Sequence, residues 1–318
     1  MTTPTDRESG GSTKIGVVLP IAEDEQLGRP PSFSTIRDLA LQAEGSGFDS
    51  VWVFDHLLFR SPEGQTAGIY EAWTILSALA VATSRVELGT LVMCTPFRNP
   101  ALLAKMASTV EEVSNGRLIL GLGAGWHQPE FDAFGFPFDH KVDRFEEALQ
   151  IIGPLLREGQ VDFQGKYYSA PNCELRPRGP RPAGPPLLIG AFKPRMLQLT
   201  ARHADSWNTC WLGHAEALAE PRAKMEAACA AEGRDPATLD VTVGVTLQYP
   251  AAVEADAPPP NREKVITGTP DEVAAAFQEY AQLGVAQLIC ALHPCHGESL
   301  AWLAQALSLY RSQQSSAA

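Results

Sequence analysis

Residues 116–131 read GRLILGLGAGWHQPEF, and this stretch predicts a buried strand. Its apolar run at 118–120 is short and bounded by glycine, which is typical of a strand covered on both faces. Glycine weakens a strand, so the alternate residues Gly121, Gly123 and Gly125 need a reason. The usual reason is that a ligand or another backbone comes very close, and the alternative is crowding by bulky neighbours inside a barrel.

The far end of this strand carries an aromatic ring, a titratable ring and a carboxylate, at Trp126, His127 and Glu130. A dinucleotide-binding turn would require the spacing Gly-x-Gly-x-x-Gly and a helix that opens at once. Here Trp126 stands where that fingerprint has glycine, and Pro129 follows. We therefore do not expect a Rossmann-type site. We interpret the C-terminal end of this strand as part of an active site of another kind.

The composition is that of an ordinary globular protein, with 45% hydrophobic and 19% charged residues in a chain of 318. This length allows two domains or a single α/β barrel. The net charge of −12 argues against nucleic acid or an anionic membrane as a partner. Local donors can still hold an anionic cofactor, so a small-molecule substrate remains the expected partner.

Several features favour a cytoplasmic protein. No apolar run is long enough to span a bilayer. Residues 1–13, MTTPTDRESGGST, lack the basic-then-apolar pattern of a secretory signal, and we expect a disordered tail there. The six cysteines form no Cys-x-x-Cys pair, and scattered thiols of this kind suggest a reducing compartment.

Eight short apolar segments alternate with helical segments in residues 14–318, which we treat as a single domain. Such alternation indicates a parallel sheet, and eight units indicate a (β/α)8 TIM barrel, with an open doubly wound sheet as the alternative. Besides the glycine-rich fourth strand, strands are expected at 14–19, 50–54, 87–93, 187–190, 206–209, 240–247 and 287–291. Helices are expected at 34–44, 70–82, 100–114, 143–157, 194–203, 215–232, from 270 onwards and at 299–311. Irregular segments are expected at 161–186, beginning with a hairpin at 161–168, and at 249–263, a flexible loop.

The active site of a (β/α)8 barrel lies at the C-terminal ends of its strands. Histidine titrates near neutrality and suits proton transfer to or from a substrate oxygen, so His56 is a candidate acid or base. A structural histidine at the barrel rim is the alternative interpretation. The unusual residues gather at these ends: Asp55-His56, Cys94-Thr95, Gly125-Trp126-His127, Gly190-Ala191 and Trp207-Asn208.

Five segments, in order, resemble the luciferase-like superfamily of flavin and deazaflavin oxidoreductases, from residue 14 to about 312. They are VWVFDH from 51, RVELGTLVMCTPFRNP from 85, GRLILGLGAGWHQPEFDAFGFP from 116, PLLIGAFKPRMLQLTARHADSWN from 186 and GTPDEVAAAFQEYAQLGV from 268. The resemblance implies a barrel with an insertion after strand four, which fits the segment at 161–186. It also implies a cofactor over the barrel mouth and usually a homodimer.

The resemblance also implies roles for individual residues. Strand three of the family carries a bulge with a non-proline cis peptide behind the cofactor ring, and the matching bond is Leu91–Val92, between Thr90 and Cys94. His56 is implied to be catalytic, and Asp55 to orient groups nearby. At the end of strand four, Trp126 and His127 are implied to serve catalysis and Gly125 to touch the ring; rim packing is the alternative role for Trp126.

The loop after strand five matches the family's phosphate loop. A strand ends, small residues turn, and a helix opens with free N–H groups, which is an anion-binding arrangement in any family. An ordinary βα turn is the alternative, and the family more often has a Gly or Ser where Phe192 stands. The cofactor-binding residues implied here are Gly190, Ala191, Phe192, Lys193 and Arg195, with Trp207, Asn208 and Arg144 from neighbouring elements.

No metal site is expected. Cys290, His293, Cys295 and His296 offer soft ligands, but their spacing is not that of a zinc site. The resemblance favours an oxidoreductase that transfers a hydride between coenzyme F420 and a small organic substrate. The alternatives are an FMN-dependent monooxygenase served by a separate reductase, a non-catalytic flavin-binding protein, and a cofactor-free barrel lyase or hydrolase.

Overall fold

Eight parallel strands close into a barrel in the computed structural model, which describes residues 12–23, 28–253 and 261–317. The strands are β1 Lys14–Val18, β2 Ser50–Val53, β3 Glu87–Thr90, continued by Met93–Cys94, β4 Leu118–Gly123, β5 Leu187–Gly190, β6 Ser206–Leu212, β7 Asp240–Gln248 and β8 Gln287–His293. Each pairs with the next along the chain, and β8 returns to pair with β1, so no edge is left open. The TIM-barrel prediction is confirmed, and the open-sheet alternative is wrong.

Helices separate the strands and cover the barrel from outside. Their starts follow the local sequence: the Asn99 side chain caps the helix that opens at Pro100, and Thr269 with Glu272 forms a capping box. The α-helices are α1 Phe33–Gly45, α2 Ala72–Ala82, α3 Pro100–Val113, α4 Gln128–Phe134, α5 Lys141–Glu158, α6 Pro194–His203, α7 Ala219–Ala231, α8 Pro270–Gln282 and α9 Gly297–Ala317.

Strand β3 is interrupted at residues 91–92, within the strand predicted at 87–93 and at the place where the family resemblance implied a bulge. Gly89 pairs with Ile119 and Met93 with Leu122, so three residues of β3 oppose two of β4. This is a β-bulge, and the peptide bond Leu91–Val92 within it is cis, which confirms that prediction. The Thr90 hydroxyl links β3 to β4 at the bulge, because it donates to Gly121 O (2.9 Å) and accepts from Gly121 N (2.8 Å).

The glycines of β4 make room for this bulge. A Cβ on Gly121 would lie 1.9 Å from the backbone oxygen of Thr90, and one on Gly123 would lie 2.6 Å from a methyl group of Val92. The close approach of another backbone is therefore the right explanation at Gly121, and side-chain crowding is the right one at Gly123.

The barrel interior is filled below the mouth. Trp52 is fully buried there, and its indole N–H donates to Ser50 Oγ (2.7 Å). The other apolar side chains of this inner layer are Val18, Leu91, Ile119, Leu188 and Ile289. A larger apolar layer lies between the strands and the helices.

Three elements differ from the sequence prediction. The loop after β2 contains a hairpin of Leu58–Arg60 with Thr66–Gly68, and α4 was not predicted at all. The hairpin expected at 161–168 spans Gln160–Gln164 and Ser169–Glu174 instead. Its turn lies at 165–168 because the Glu147 carboxylate accepts hydrogen bonds from three consecutive backbone N–H groups there, at 2.8–2.9 Å.

Parts of two predictions lie outside the described residues. Of the predicted tail at 1–13 only Ser12 and Thr13 are described, and the Thr13 hydroxyl donates to Val285 O (2.7 Å). The predicted loop at 249–263 is described up to 253 and again from 261. No helix within the described ranges combines the length and the apolar character needed to cross a bilayer.

Candidate active site

His56 follows β2 at the barrel mouth and is held by a buried carboxylate. Its Nδ1 lies 2.9 Å from Glu130 Oε1, and the other carboxylate oxygen accepts the backbone N–H of Leu57 (2.9 Å). Glu130 is only 1% exposed. Because a carboxylate accepts, Nδ1 carries the proton, and the neutral ring then keeps its lone pair on Nε2. His56 is thus fixed in the tautomer that a general base requires.

The sequence prediction noted Glu130 as a carboxylate near the end of strand four but gave it no specific role and no partner. It lies in the first turn of α4, which brings its carboxylate back over the end of β2. The signal that could have found it is Pro129, because proline just after a strand end is typical of the first turn of a helix.

Aromatic rings surround His56. The ring centroid of Phe59 lies 4.5 Å from that of His56, and the centroids of Trp126 and Phe54 lie at 5.4 and 6.2 Å. Trp126 is 65% exposed, so it forms the outer wall of this group. The 58–68 hairpin supplies Phe59, a residue that the sequence prediction missed.

His127 holds that hairpin in place. Its Nε2 accepts the backbone N–H of Arg60 (3.0 Å), and its ring centroid lies 5.6 Å from that of Phe59. The lone pair of this nitrogen is engaged by the Arg60 amide. The structure therefore places the predicted catalytic residue His127 where it positions the hairpin.

Asp55 follows β2 and is buried, at 2% exposure. It accepts two hydrogen bonds from the Arg98 guanidinium (2.6 and 3.0 Å) and one from the Cys94 amide (2.9 Å). Arg98 also pairs with Glu71, which caps α2. Burial by itself would lower the pKa of Arg98, but these hydrogen bonds and opposite charges raise it. Asp55 thus ties the end of β2 to the end of β3, and the sequence prediction missed both Arg98 and Glu71.

The predicted ring-binding residues of β3 and β4 form one wall of the mouth. The Val92 side chain lies over Gly123 and Gly190, whereas Leu91 points into the inner core. Cys94 is buried beside Gly125, where a Cβ would lie 2.6 Å from the Cys94 sulfur. Burial raises the pKa of the Cys94 thiol, with the nearby carboxylates adding to the effect, so the thiol stays protonated at neutral pH.

The predicted phosphate loop joins β5 to α6. Gly190 ends the strand, Ala191 N donates to Asn208 O (3.2 Å), and Lys193 is the N-cap residue. No side chain among the described residues caps the first turn of α6, so the backbone N–H groups that follow Pro194 have no side-chain acceptor there. Phe192 and Lys193 are exposed.

Two predicted phosphate ligands already have partners. Arg195 pairs with Asp143 and with Glu146 (2.7 Å), so its charge is neutralised by α5. Arg144 donates to the backbone oxygen of Asp139 (3.1 Å) and stacks on the ring of Tyr167, 4.5 Å from its centroid.

Trp207 and Asn208 face opposite sides of β6. Trp207 is buried on the helix side, and its indole N–H donates to Ala191 O (3.0 Å) behind the phosphate loop. The Asn208 amide N–H donates to Thr242 Oγ1 (2.9 Å), but its carbonyl oxygen has no partner within the described part of the chain. An unpaired buried acceptor at the mouth fits a ligand that brings an N–H or O–H group.

The family model for luciferase-like monooxygenases matches residues 13–258. The chain belongs to the luciferase-like monooxygenase family. The family predicted from the sequence is therefore confirmed.

Curated members of the luciferase-like family match this chain over part of their length. Pyrimidine monooxygenase RutA of Rhizobium rhizogenes is 32% identical over 243 residues, which cover 70% of this chain and 64% of RutA. F420-dependent glucose-6-phosphate dehydrogenase of Amycolatopsis mediterranei is 35% identical over 223 residues, which cover 67% of this chain and 65% of that enzyme. The chain thus matches less than two thirds of the length of either relative.

Solved structures of luciferase-like proteins share the fold. An F420-dependent secondary alcohol dehydrogenase in complex with an F420-acetone adduct aligns with a TM-score of 0.76 at 19% identity, over 95% of this chain and 100% of that one. A riboflavin lyase (RcaE) with modified FMN and substrate riboflavin aligns with a TM-score of 0.77 at 15% identity, over 95% of this chain and 92% of that one. At such identities the likeness concerns the fold alone.

Proposed function

We propose that this luciferase-like protein transfers a hydride between coenzyme F420 and a small organic substrate, with His56 as the proton-transferring residue. The pair of His56 and Glu130 carries the proposal, because it fixes a histidine at the barrel mouth with one nitrogen available as a base. F420, when bound, would supply the acceptor or donor of the hydride. His56 Nε2 takes the proton of a substrate hydroxyl during oxidation and returns it in the reverse direction.

The residues at the mouth fit such a cofactor in two respects. The unpaired carbonyl of Asn208 can accept a hydrogen bond from it, and the uncapped first turn of α6, with Lys193 beside it, can hold its phosphate. Thr90, Leu91, Val92, Cys94 and Gly125 frame the wall on which we propose that the ring lies. Arg144 and Arg195 would join the phosphate site only by leaving their present partners.

A second candidate is an FMN-dependent monooxygenase, supplied with reduced flavin by a separate reductase. The similarity to RutA proteins, at 29–33% identity among several, favours it. The deazaflavin does not activate oxygen, so the identity of the cofactor decides between the two reactions.

Thermal denaturation with each cofactor tests this choice. A ligand that binds the folded state stabilises it by an amount that grows with the logarithm of its concentration relative to Kd, so at equal free concentrations F420 is expected to raise the melting temperature more than FMN. A larger shift with FMN would favour the monooxygenase and overturn the first ranking.

We also propose a homodimer. Helices α2 and α3 are adjacent and expose apolar side chains at Val81 (77%), Leu102 (54%) and Val113. Large apolar groups that lie exposed on neighbouring helices are typical of a surface that another subunit covers.

A further inference from the structure

The ends of three neighbouring strands carry exposed aromatic rings. Trp126 follows β4, Phe192 (55% exposed) follows β5, and Trp211 (40% exposed) lies at the end of β6. β5 pairs with both β4 and β6, so the three rings follow one another along the rim of the mouth. Exposed apolar groups on neighbouring strand ends mark a binding surface more often than scattered ones do.

Trp126 lies beside the proposed base. Its ring stands edge-on to that of His56, at an interplanar angle of 76°, and is tilted by 33° from that of Phe59. The His56 side chain is only 17% exposed. A group that reaches the imidazole from outside therefore passes along an aromatic wall.

Trp211 enters the mouth because of a second bulge. Thr209 pairs with Val243 and Leu212 with Val245, so Cys210 and Trp211 together oppose the single residue Gly244. A Cβ on Gly244 would lie 2.9 Å from the Trp211 ring. The neighbours Val243 and Val245 face the outer core, so Gly244 faces inward, and its missing side chain leaves room for this indole.

The two carboxylates next to His56 already have partners. Glu130 is satisfied by His56 and the Leu57 amide, and Asp55 is satisfied by Arg98. On the hairpin, the Arg60 guanidinium donates to Thr66 Oγ1 (3.3 Å). The two carboxylates thus offer no unpaired negative charge to a cationic ligand, and the rings around the base favour an apolar group.

We infer that the substrate of this site is a compound with a planar aromatic ring, which stacks on Trp126 and presents its reacting oxygen to His56. The role of His56 rests on the proposed function, whereas binding of the ring does not. Aromatic pairs contribute about 0.5–1.5 kcal/mol beyond area burial, which corresponds to roughly a threefold to tenfold gain in affinity.

Titration calorimetry with a matched pair of neutral alcohols tests the inference. The probes are 2-naphthalenemethanol and its saturated analogue decahydro-2-naphthalenemethanol, added to the protein alone and to the protein with F420 or FMN. The aromatic alcohol is expected to bind about threefold to tenfold more tightly than the saturated one. Trp126→Leu should abolish this preference, and the Kd of each cofactor is measured for the same variant.

Phe134→Leu is the control, because Phe134 is an exposed aromatic residue in the last turn of α4. Equal affinity for the two alcohols in the wild type, or a preference that survives Trp126→Leu, would overturn the inference. A preference that Phe134→Leu also abolishes would do the same. A further outcome separates the two proposals. If the aromatic preference depends on Trp126 but the protein binds neither cofactor, the aromatic site is supported and the proposed function is overturned.

Discussion

His56 and Glu130 are 74 residues apart in the chain, and that separation explains why only one of them was predicted to act. The histidine stands in a recognisable segment at a strand end. The contact with Glu130 depends on how α4 packs over the end of β2. Helix α4 has only seven residues, with a proline near its start, so its sequence shows little helical periodicity. The same holds for Asp55, which was predicted as an orienting residue, and for Arg98, its partner 43 residues away.

Replacement of His56 tests its role at the level of one residue. His56→Ala is expected to lower turnover about a hundredfold or more, the scale of lost general acid–base catalysis, while cofactor affinity stays within a few-fold. The measurement is turnover of the first alcohol or carbonyl substrate found in a screen, beside a cofactor titration. Unchanged turnover would remove His56 from the mechanism.

The pair of Arg98 and Asp55 predicts a large effect on stability. Arg98→Met leaves the buried carboxylate without its partner, and breaking such a pair costs about 3–5 kcal/mol of unfolding free energy. Denaturant unfolding measures the loss. Asp55→Asn in the same chain should restore a substantial part of it, and a double variant as unstable as Arg98→Met alone would contradict the pairing.

At the scale of elements, the bulge in β3 shapes the site. It carries Val92 over the glycines of β4 and β5 and leaves Cys94 beside Asp55. The glycine pattern at 121 and 123 predicted a close approach, but the sequence alone did not say whether a ligand or the chain itself makes it. The structure shows that the chain does.

Gly121→Ala tests this packing. The added Cβ would meet the Thr90 backbone at 1.9 Å, and a backbone atom cannot swing aside as a side chain can. We expect a loss of about 2–3 kcal/mol in unfolding free energy, at the upper end of overpacking effects. Gly45→Ala is the control: Gly45 ends α1 with nothing within 4 Å, and alanine there should gain up to about 1 kcal/mol. Equal stability of the two variants would contradict the proposed crowding.

At the scale of the whole molecule, the alternation of eight strands with helices was enough to predict the barrel. Closure follows from short connections and parallel pairing, which the sequence pattern carries. The alternation of strands and helices does not predict which charged side chains at the mouth remain without an ionic partner. Arg195 was predicted to bind phosphate, but it pairs with two carboxylates of α5, Asp143 and Glu146. These residues are 52 and 49 positions away in the chain and meet Arg195 only because α5 and α6 pack together.

The proposed dimer makes a prediction at this scale. Val81→Glu places a charge in the exposed apolar face of α2 and is expected to shift the protein from dimer to monomer in analytical ultracentrifugation. Leu283→Glu, at an exposed apolar residue after α8, should leave the dimer intact. A wild-type monomer, or a dimer that survives Val81→Glu, would contradict the proposed interface.

The most direct test of the account is whether a flat redox cofactor binds in the mouth of the barrel. Wild type and Gly190→Phe would each be incubated with F420 or FMN, desalted and measured by absorbance, with Gly45→Phe as the control. A Cβ on Gly190 would make only van der Waals contact with Val92, at 3.4 Å, and phenylalanine is chosen because its ring takes up space beside the proposed ring site. We predict that wild type and Gly45→Phe retain one of the two cofactors and that Gly190→Phe loses it. Retention by Gly190→Phe at the wild-type level, or no retention of either cofactor by the wild type, would contradict the account.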